Sequence, residues 1–331
     1  MNLNKLSSAL KGEPAFRQKQ VYNFIFKLWG DDWLQMTTLP VALREKLSAE
    51  CSLKIEHKIY SSKKDNAIKA LIEFEDGAEV EAVLMKHTDG RNTVCVSSQV
   101  GCALGCDFCA TGKLGFTRNL TSMEIVEQVL LFNRLLKKSN EKVTNIVFMG
   151  MGEPMLNYEN VISAIKFMNS KEVFSLGARK FSISTVGVVD GINKLAKEPM
   201  EINLAVSIHA PNDILRSRLM PINNKWNLQK LFKAIDGYIK LTNRRVMLEY
   251  TLIEGVNDSL ASAEELCRRV KNPLLFVNLI TYNKTQFYAP PTPAVVRKFS
   301  EFLTKNHVAN TQRQRFGHDI AAACGQLAAK G

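Results

Sequence analysis

The sequence predicts an α/β protein: a partial (β/α)6 barrel of parallel strands and outer helices, preceded by a small helical and hairpin unit. Three observations lead there. From Asn92 onward, short apolar runs of strand type alternate with stretches of helical period, the mark of a parallel sheet with crossover helices. Before Asn92 that alternation is absent. The residues with the most chemistry follow directly on strand-type runs, where such sheets carry their sites. Six strands fit a partial barrel better than the closed one of eight.

At 331 residues the chain buries a core large enough for one barrel-sized domain and an appendage. It divides into an accessory region of RNA-binding type (residues 1–90), a core barrel (91–308) and a C-terminal tail (309–331). No run approaches the length that spans a bilayer. The N-terminus has no apolar core followed by a small-residue cleavage site, so the cytoplasm is the expected compartment. Net charge is +12. Residues 1–90 carry equal numbers of acidic and basic side chains, so the whole excess lies on residues 91–331. A basic surface of that size suits a polyanion such as nucleic acid.

In order, Val21, Phe24, Ile25 and Leu28 recur at helical spacing within Arg17–Trp29, which makes most of those aromatics core. Leu39-Pro40 ends that pattern, and a short helix follows over Val41–Ser48. Ala67–Phe74 and Glu79–Met85 read as strands joined by the turn Glu75-Asp76-Gly77. Glu81, between Val80 and Ala82, reads at this stage as a solvated strand carboxylate. Thr93–Ser97 is the first barrel strand. Thr121 and Glu124 form a capping box for a helix reaching Lys138. Val143–Met149, Lys180–Thr185, Ile202–Ile208, Arg245–Ile253 and Leu274–Ile280 are the remaining barrel strands. Helices are expected near Tyr158–Asn169, Gly187–Ala196, Arg216 and Arg218, Leu228–Leu241, Ser259–Val270 and Pro293–Thr304.

Seven cysteines are present. Cys102, Cys106 and Cys109 fall on one short loop at C-x3-C-x2-C spacing, close enough to converge on one metal centre. Soft thiolates suit both an iron–sulfur cluster and zinc. No fourth ligand is nearby, which for a cluster leaves one iron open. Cys51 and Cys267 have no motif around them and read as plain thiols. Cys324, among small residues, reads by itself as a buried helix cysteine. His209 reads as an ordinary strand-end histidine.

Taken together, these motifs resemble the RlmN/Cfr family of radical S-adenosylmethionine (SAM) RNA methyltransferases, and RlmN most closely. The resemblance runs through VEAV around Glu81, CVSSQVGCALGCDFCATG from Cys95, and GFTRNLT from Gly115. It continues through FMGMGEPMLN from Phe148, SISTVG from Ser182, SIHAPND from Ser207, LMPIN from Leu219 and AACGQL from Ala322. It implies that Cys102, Cys106 and Cys109 hold a 4Fe-4S cluster whose open iron takes the amino and carboxylate groups of SAM. Gly152, Glu153, Ser184, Ser207, Ile208, His209 and Asn283 match SAM-contacting positions. Cys324 matches the methyl carrier, Cys95 its resolving partner and Glu81 the proton acceptor.

The chemistry so implied is methylation of adenosine carbon 2 in 23S rRNA, and in tRNA. One SAM methylates Cys324, and a second is cleaved to a 5′-deoxyadenosyl radical that takes hydrogen from the S-methyl group. The carbon then joins the base, and a transient Cys95–Cys324 disulfide releases the product. Adenine carbon 2 is electron-poor, so a cofactor must supply the hard step. A flavodoxin- or ferredoxin-like donor and a monomeric enzyme are expected. Three departures stand out: Asn283 lies in TYNKTQFYAP, His318 and Ala321 replace commoner tail residues, and Gln314-Arg315-Phe316-Gly317 is closer to Cfr. Cfr-type methylation at carbon 8 is therefore the second reading. A zinc-stabilised RNA-binding protein leaves the Gly-Met-Gly-Glu loop unexplained, and a radical SAM enzyme for a small molecule leaves the charge asymmetry unexplained.

Overall fold

The computed structural model describes residues 3–283 and 288–328. β1 (Glu56–Ser61), β2 (Ala67–Glu73) and β3 (Glu79–Lys86) form an antiparallel meander. β4 (Asn92–Cys95) extends it, antiparallel to β3. β5 (Gln99–Gly101) and β6 (Phe116–Asn119) make a separate ribbon that brackets the cysteine loop. Then follow β7 (Asn145–Phe148), β8 (Phe181–Thr185), β9 (Asn203–Ser207), β10 (Val246–Leu252), β11 (Leu275–Thr281) and β12 (Asn310–Gln312). The main sheet runs β1-β2-β3-β4-β7-β8-β9-β10-β11-β12, and every pairing from β4 onward is parallel.

The six expected barrel strands are β4 and β7 to β11. β12, three residues long, adds a seventh parallel strand at the far edge. β1 was not foreseen because it has no apolar alternation: nearly all its residues are exposed. An edge strand with Glu56, His57, Lys58 and Ser61 exposed to water discourages pairing with another chain.

Helices cover the sheet as their caps dictate. Thr121 Oγ1 accepts from Glu124 N at 3.2 Å, and Glu124 Oε2 accepts from Thr121 N at 2.7 Å, so both halves of the capping box form. The helix it starts, Ser122–Lys137, buries Ile125, Val126, Val129 and Leu136.

The N-terminal helices Leu3–Ala9, Ala15–Phe26 and Val41–Glu50 pack into the same core as the barrel. In Ala15–Phe26 the buried face is Val21, Ile25 and Phe26. Phe24 is only half-buried, and Leu28, beyond the helix end, is 53% exposed. Phe26 meets the barrel-side Phe167 edge-on at 5.2 Å. Arg134 spans the same junction, donating to Leu53 O at 2.7 Å and Gly30 O at 2.6 Å. The tail crosses back over the sheet. Gly317 N donates to Asp65 Oδ2 at 2.8 Å, and Asp319 accepts from Ser62 Oγ at 2.7 Å.

Candidate functional site

The site forms where the parallel strands end. The cysteine loop is clamped there by its backbone. Cys102 N donates to Gly115 O at 2.7 Å, Asp107 N to Leu219 O at 2.9 Å, and Ala110 N to Gly325 O at 2.8 Å. Tyr282 Oη donates to Phe108 O at 3.1 Å. Gly101 has φ +73, and a Cβ there would sit 2.0 Å from Gly115 O, so only glycine permits this closure.

Cys102, Cys106 and Cys109 line one cavity together with Gly152, Glu153, Ser184, Ser207, His209, Asn283 and Cys324. Among the described residues, no three His, Cys, Asp or Glu side chains converge as a single ion requires. Burial pushes the Cys102 thiol up to about 11 and raises Cys106 as well, with neighbouring Cys109 adding to both. Metal binding to such thiols must displace protons.

Glu153 is fully buried. Its Oε1 accepts from Met155 N at 3.0 Å and its Oε2 from Val186 N at 2.9 Å. Burial still pushes its carboxyl up to about 7, against those hydrogen bonds. A cationic ligand beside it would hold it ionised. Gly152 has φ +94, and its missing Cβ lets Gln99 approach closely, where Gln99 Oε1 accepts from Glu153 N at 2.8 Å.

On the opposite wall, Glu249 Oε2 accepts from Ser184 Oγ and, at 3.2 Å, from Ser207 Oγ, while its Oε1 accepts from Arg313 at 3.0 Å. His209 sits at φ +49, with Nδ1 accepting from Thr251 N at 3.0 Å. That bond leaves the ring proton on Nε2, and burial pulls the pKa down to about 3, so the ring is neutral at physiological pH. The Phe108 ring stands edge-on to it at 5.0 Å. The Ile208 side chain belongs to the core, not to the cavity wall. Asn283 Nδ2 donates to Cys324 O at 3.1 Å, while its Oδ1 is buried with no partner among the described residues. That orphaned acceptor needs a donor, as a bound polar cofactor would supply.

A second cavity adjoins the first. Cys95 and Cys324 both line it, with Val83, Met85 and Phe316, and Cys324 and Arg313 are common to both cavities. Cys324 is not in a helix; it lies in a turn, half-buried. Burial drives the Cys95 thiol up to about 12. Arg313 is raised, chiefly by the nearness of Cys324.

Glu81 is neither solvated nor on either cavity wall. It is 1% exposed, its Oε1 is 2.7 Å from Lys69 Nζ, and its Oε2 accepts from Ala328 N at 2.8 Å. It shares a strand face with Val83 and Met85 of the second cavity, one side-chain step further along. Two residues central to the cavities went unassigned in the sequence. Glu249 interrupts the apolar run Val246–Leu252, and a carboxylate inside a buried strand is itself a signal. Arg313 stands in a tail where nothing marks it.

The model of the radical SAM superfamily matches residues 96–267, and that of the ribosomal RNA large subunit methyltransferase N-terminal domain matches residues 2–53. A Carboxydothermus hydrogenoformans protein named "Probable dual-specificity RNA methyltransferase RlmN" is 43% identical across 100% of this chain and 97% of its own length. A Lachnoclostridium phytofermentans protein of the same name is also 43% identical, over 99% of this chain and 92% of its own length. The crystal structure of a radical SAM methyltransferase from Sphaerobacter thermophilus superposes with a TM-score of 0.94 at 42% identity. It covers 98% of this chain and 96% of that one.

Proposed function

The chain belongs to the RlmN family of radical SAM RNA methyltransferases, and from that membership we propose that it methylates carbon 2 of adenosine in 23S rRNA and tRNA, with Cys324 as methyl carrier. Membership of the superfamily implies a 4Fe-4S cluster and SAM. The observation that carries the reading is that Cys324 borders both cavities, one holding the three loop cysteines and the other holding Cys95.

The residues present fit these groups. Three cysteine thiols lining one cavity are the soft ligands that would hold a 4Fe-4S cluster. Glu153 is the natural partner of the SAM ammonium, with Gly152 setting its approach. Ser184, Ser207 and Asn283 offer hydroxyls and an unpaired amide oxygen to its polar groups. His209 offers its Nε2 proton as a donor. Ile208 contributes through its backbone, since its side chain is core.

When bound, the cluster and SAM supply a methyl group and a hydrogen-abstracting radical. The protein's part is placement. Cys324 Sγ holds the methyl carbon at the boundary between the cavities. Glu81 takes the proton from adenine carbon 2, which requires the Ala328 contact to open first. Cys95 gives up its proton and its Sγ joins Cys324 Sγ as the sulfur–carbon bond breaks, the freed carbon takes up a proton to complete the methyl group, the odd electron would return to the bound cluster, and the methylated base leaves. A flavodoxin- or ferredoxin-like donor resets the disulfide. The enzyme works as a monomer in the cytoplasm, and no helix among the described residues is long and apolar enough to cross a membrane.

Mass spectrometry of adenosines from 23S rRNA and tRNA, treated with and without the reconstituted protein, tests this reading. It is expected to find 2-methyladenosine. 8-Methyladenosine instead would shift the assignment to Cfr-type chemistry, and no new methyl group in either RNA would sink it.

A further inference from the structure

Arg216 is completely buried, yet every hydrogen bond it makes is to a neutral oxygen. Nη2 donates to Val186 O at 2.5 Å and Ser207 O at 3.3 Å, and Nε donates to Ile208 O at 3.3 Å. Nη1 donates to Asn223 Oδ1 at 2.9 Å and Trp226 O at 3.4 Å. Among the described residues, no carboxylate pairs with it. Asp213, one turn earlier on the same helix, turns its Oδ1 to Leu228 N at 2.7 Å.

A buried cation without a counter-charge is costly to the fold. Folds tolerate one where an anion arrives to compensate. The anion here has a clear address. Arg216 lies on the helix Asp213–Leu219, whose end is tied to the cysteine loop by Asp107 N donating to Leu219 O at 2.9 Å. Cys106 belongs to the same small apolar cluster as Leu219 and Met220. The Val186 carbonyl held by Arg216 belongs to a residue that lines the same cavity as Cys102, Cys106 and Cys109. A cubane held by three thiolates is an anion, and it gains a further negative charge on reduction.

We propose that Arg216 is the fixed counter-cation of the cluster, a positioning residue that stands behind Cys106 and makes the cluster easier to reduce. This rests on the reading that Cys102, Cys106 and Cys109 hold a 4Fe-4S cluster. The same guanidinium ties the ends of β8 and β9 together through the Val186, Ser207 and Ile208 carbonyls. The group that sets the cluster's charge balance thereby also fixes the strand ends facing it.

The test compares wild type, Arg216→Gln and Arg216→Lys, each reconstituted with iron and sulfide without oxygen. Two quantities are read: the reduction midpoint by electron paramagnetic resonance titration, and the gain in melting temperature on cluster loading. Loss of the carbonyl hydrogen bonds affects the empty and loaded forms alike, so the gain on loading isolates the charge. R216Q is expected to show a more negative midpoint and a smaller gain, and R216K to return both toward wild type. An iron-loaded R216Q with the wild-type midpoint and gain would overturn the proposal. If R216Q does not fold, R216K decides alone: it keeps the charge without the guanidinium fork, so a midpoint that falls clearly below wild type overturns it. Wild-type protein that takes up no iron defeats the cluster reading itself, a separate outcome.

Discussion

Lys69 Nζ stands 2.7 Å from Glu81 Oε1, and both side chains are buried in neighbouring strands of the accessory hairpin. The ammonium also lies 5.1 Å from the centre of the Tyr60 ring. The carboxylate assigned the proton-accepting role is thus held by a partner supplied from outside the barrel. Removing that partner strands a buried charge. Lys69→Met is expected to lower stability by about 3–5 kcal/mol, measured as a fall in the urea midpoint. A variant as stable as wild type would mean that Glu81 gains nothing from Lys69.

Cys324→Ala is expected to abolish RNA methylation while leaving iron content unchanged, because the side chain borders the cavity of the three loop cysteines without belonging to their loop. Iron analysis and tritium transfer from labelled SAM to RNA separate the two properties. Methylation at the wild-type rate by this variant would remove the carrier-thiol reading.

Cys95 and Cys324 share a cavity but differ in burial. Burial pushes Cys95 up to about 12, so the thiol stays protonated at neutral pH, and the thiolate fraction appears only as pH climbs toward that value. Cys324 is half-buried and in a turn. Brief iodoacetamide treatment of the metal-free protein at pH 8, followed by peptide mapping, should label Cys324 well before Cys95. Equal labelling would show that the second cavity is open to solvent.

Glu153→Gln replaces the proposed ammonium partner by a neutral amide. A charge-assisted hydrogen bond contributes about 1.5–3 kcal/mol, so SAM affinity of the reconstituted protein should fall by about 10- to 150-fold. Equilibrium dialysis measures it. An unchanged affinity would place the SAM amino group elsewhere.

How much of this was legible in the sequence depended on what each residue answers to. Caps and apolar periodicity act within a few residues, so the Ser122–Lys137 helix and the six barrel strands could be read directly. The loop cysteines announce themselves by spacing. Glu81 could not be read, because its burial depends on Lys69 across a strand pair and on Ala328 at the far end of the chain. Cys324 looked like a helix residue because its small neighbours hide that Gly325 O binds Ala110 N. β1 and β12 escaped because edge strands need little apolar surface. Arg216 appeared only as part of a basic helix, since carbonyl partners leave no trace in side-chain identity.

The tail fastens to the cysteine loop at two points: Gly325 O accepts from Ala110 N at 2.8 Å, and Leu327 O accepts from Thr111 Oγ1 at 2.6 Å. In the order of protein synthesis these partners are made far apart in time. The loop cysteines emerge from the ribosome with much of the barrel still untranslated, whereas Cys324 follows the last barrel helix, Pro293–Lys305. A chain still being translated can have its cysteine loop exposed before Cys324 has been made at all. The clamp between the tail and the cysteine loop therefore closes only after the last barrel helix has been made.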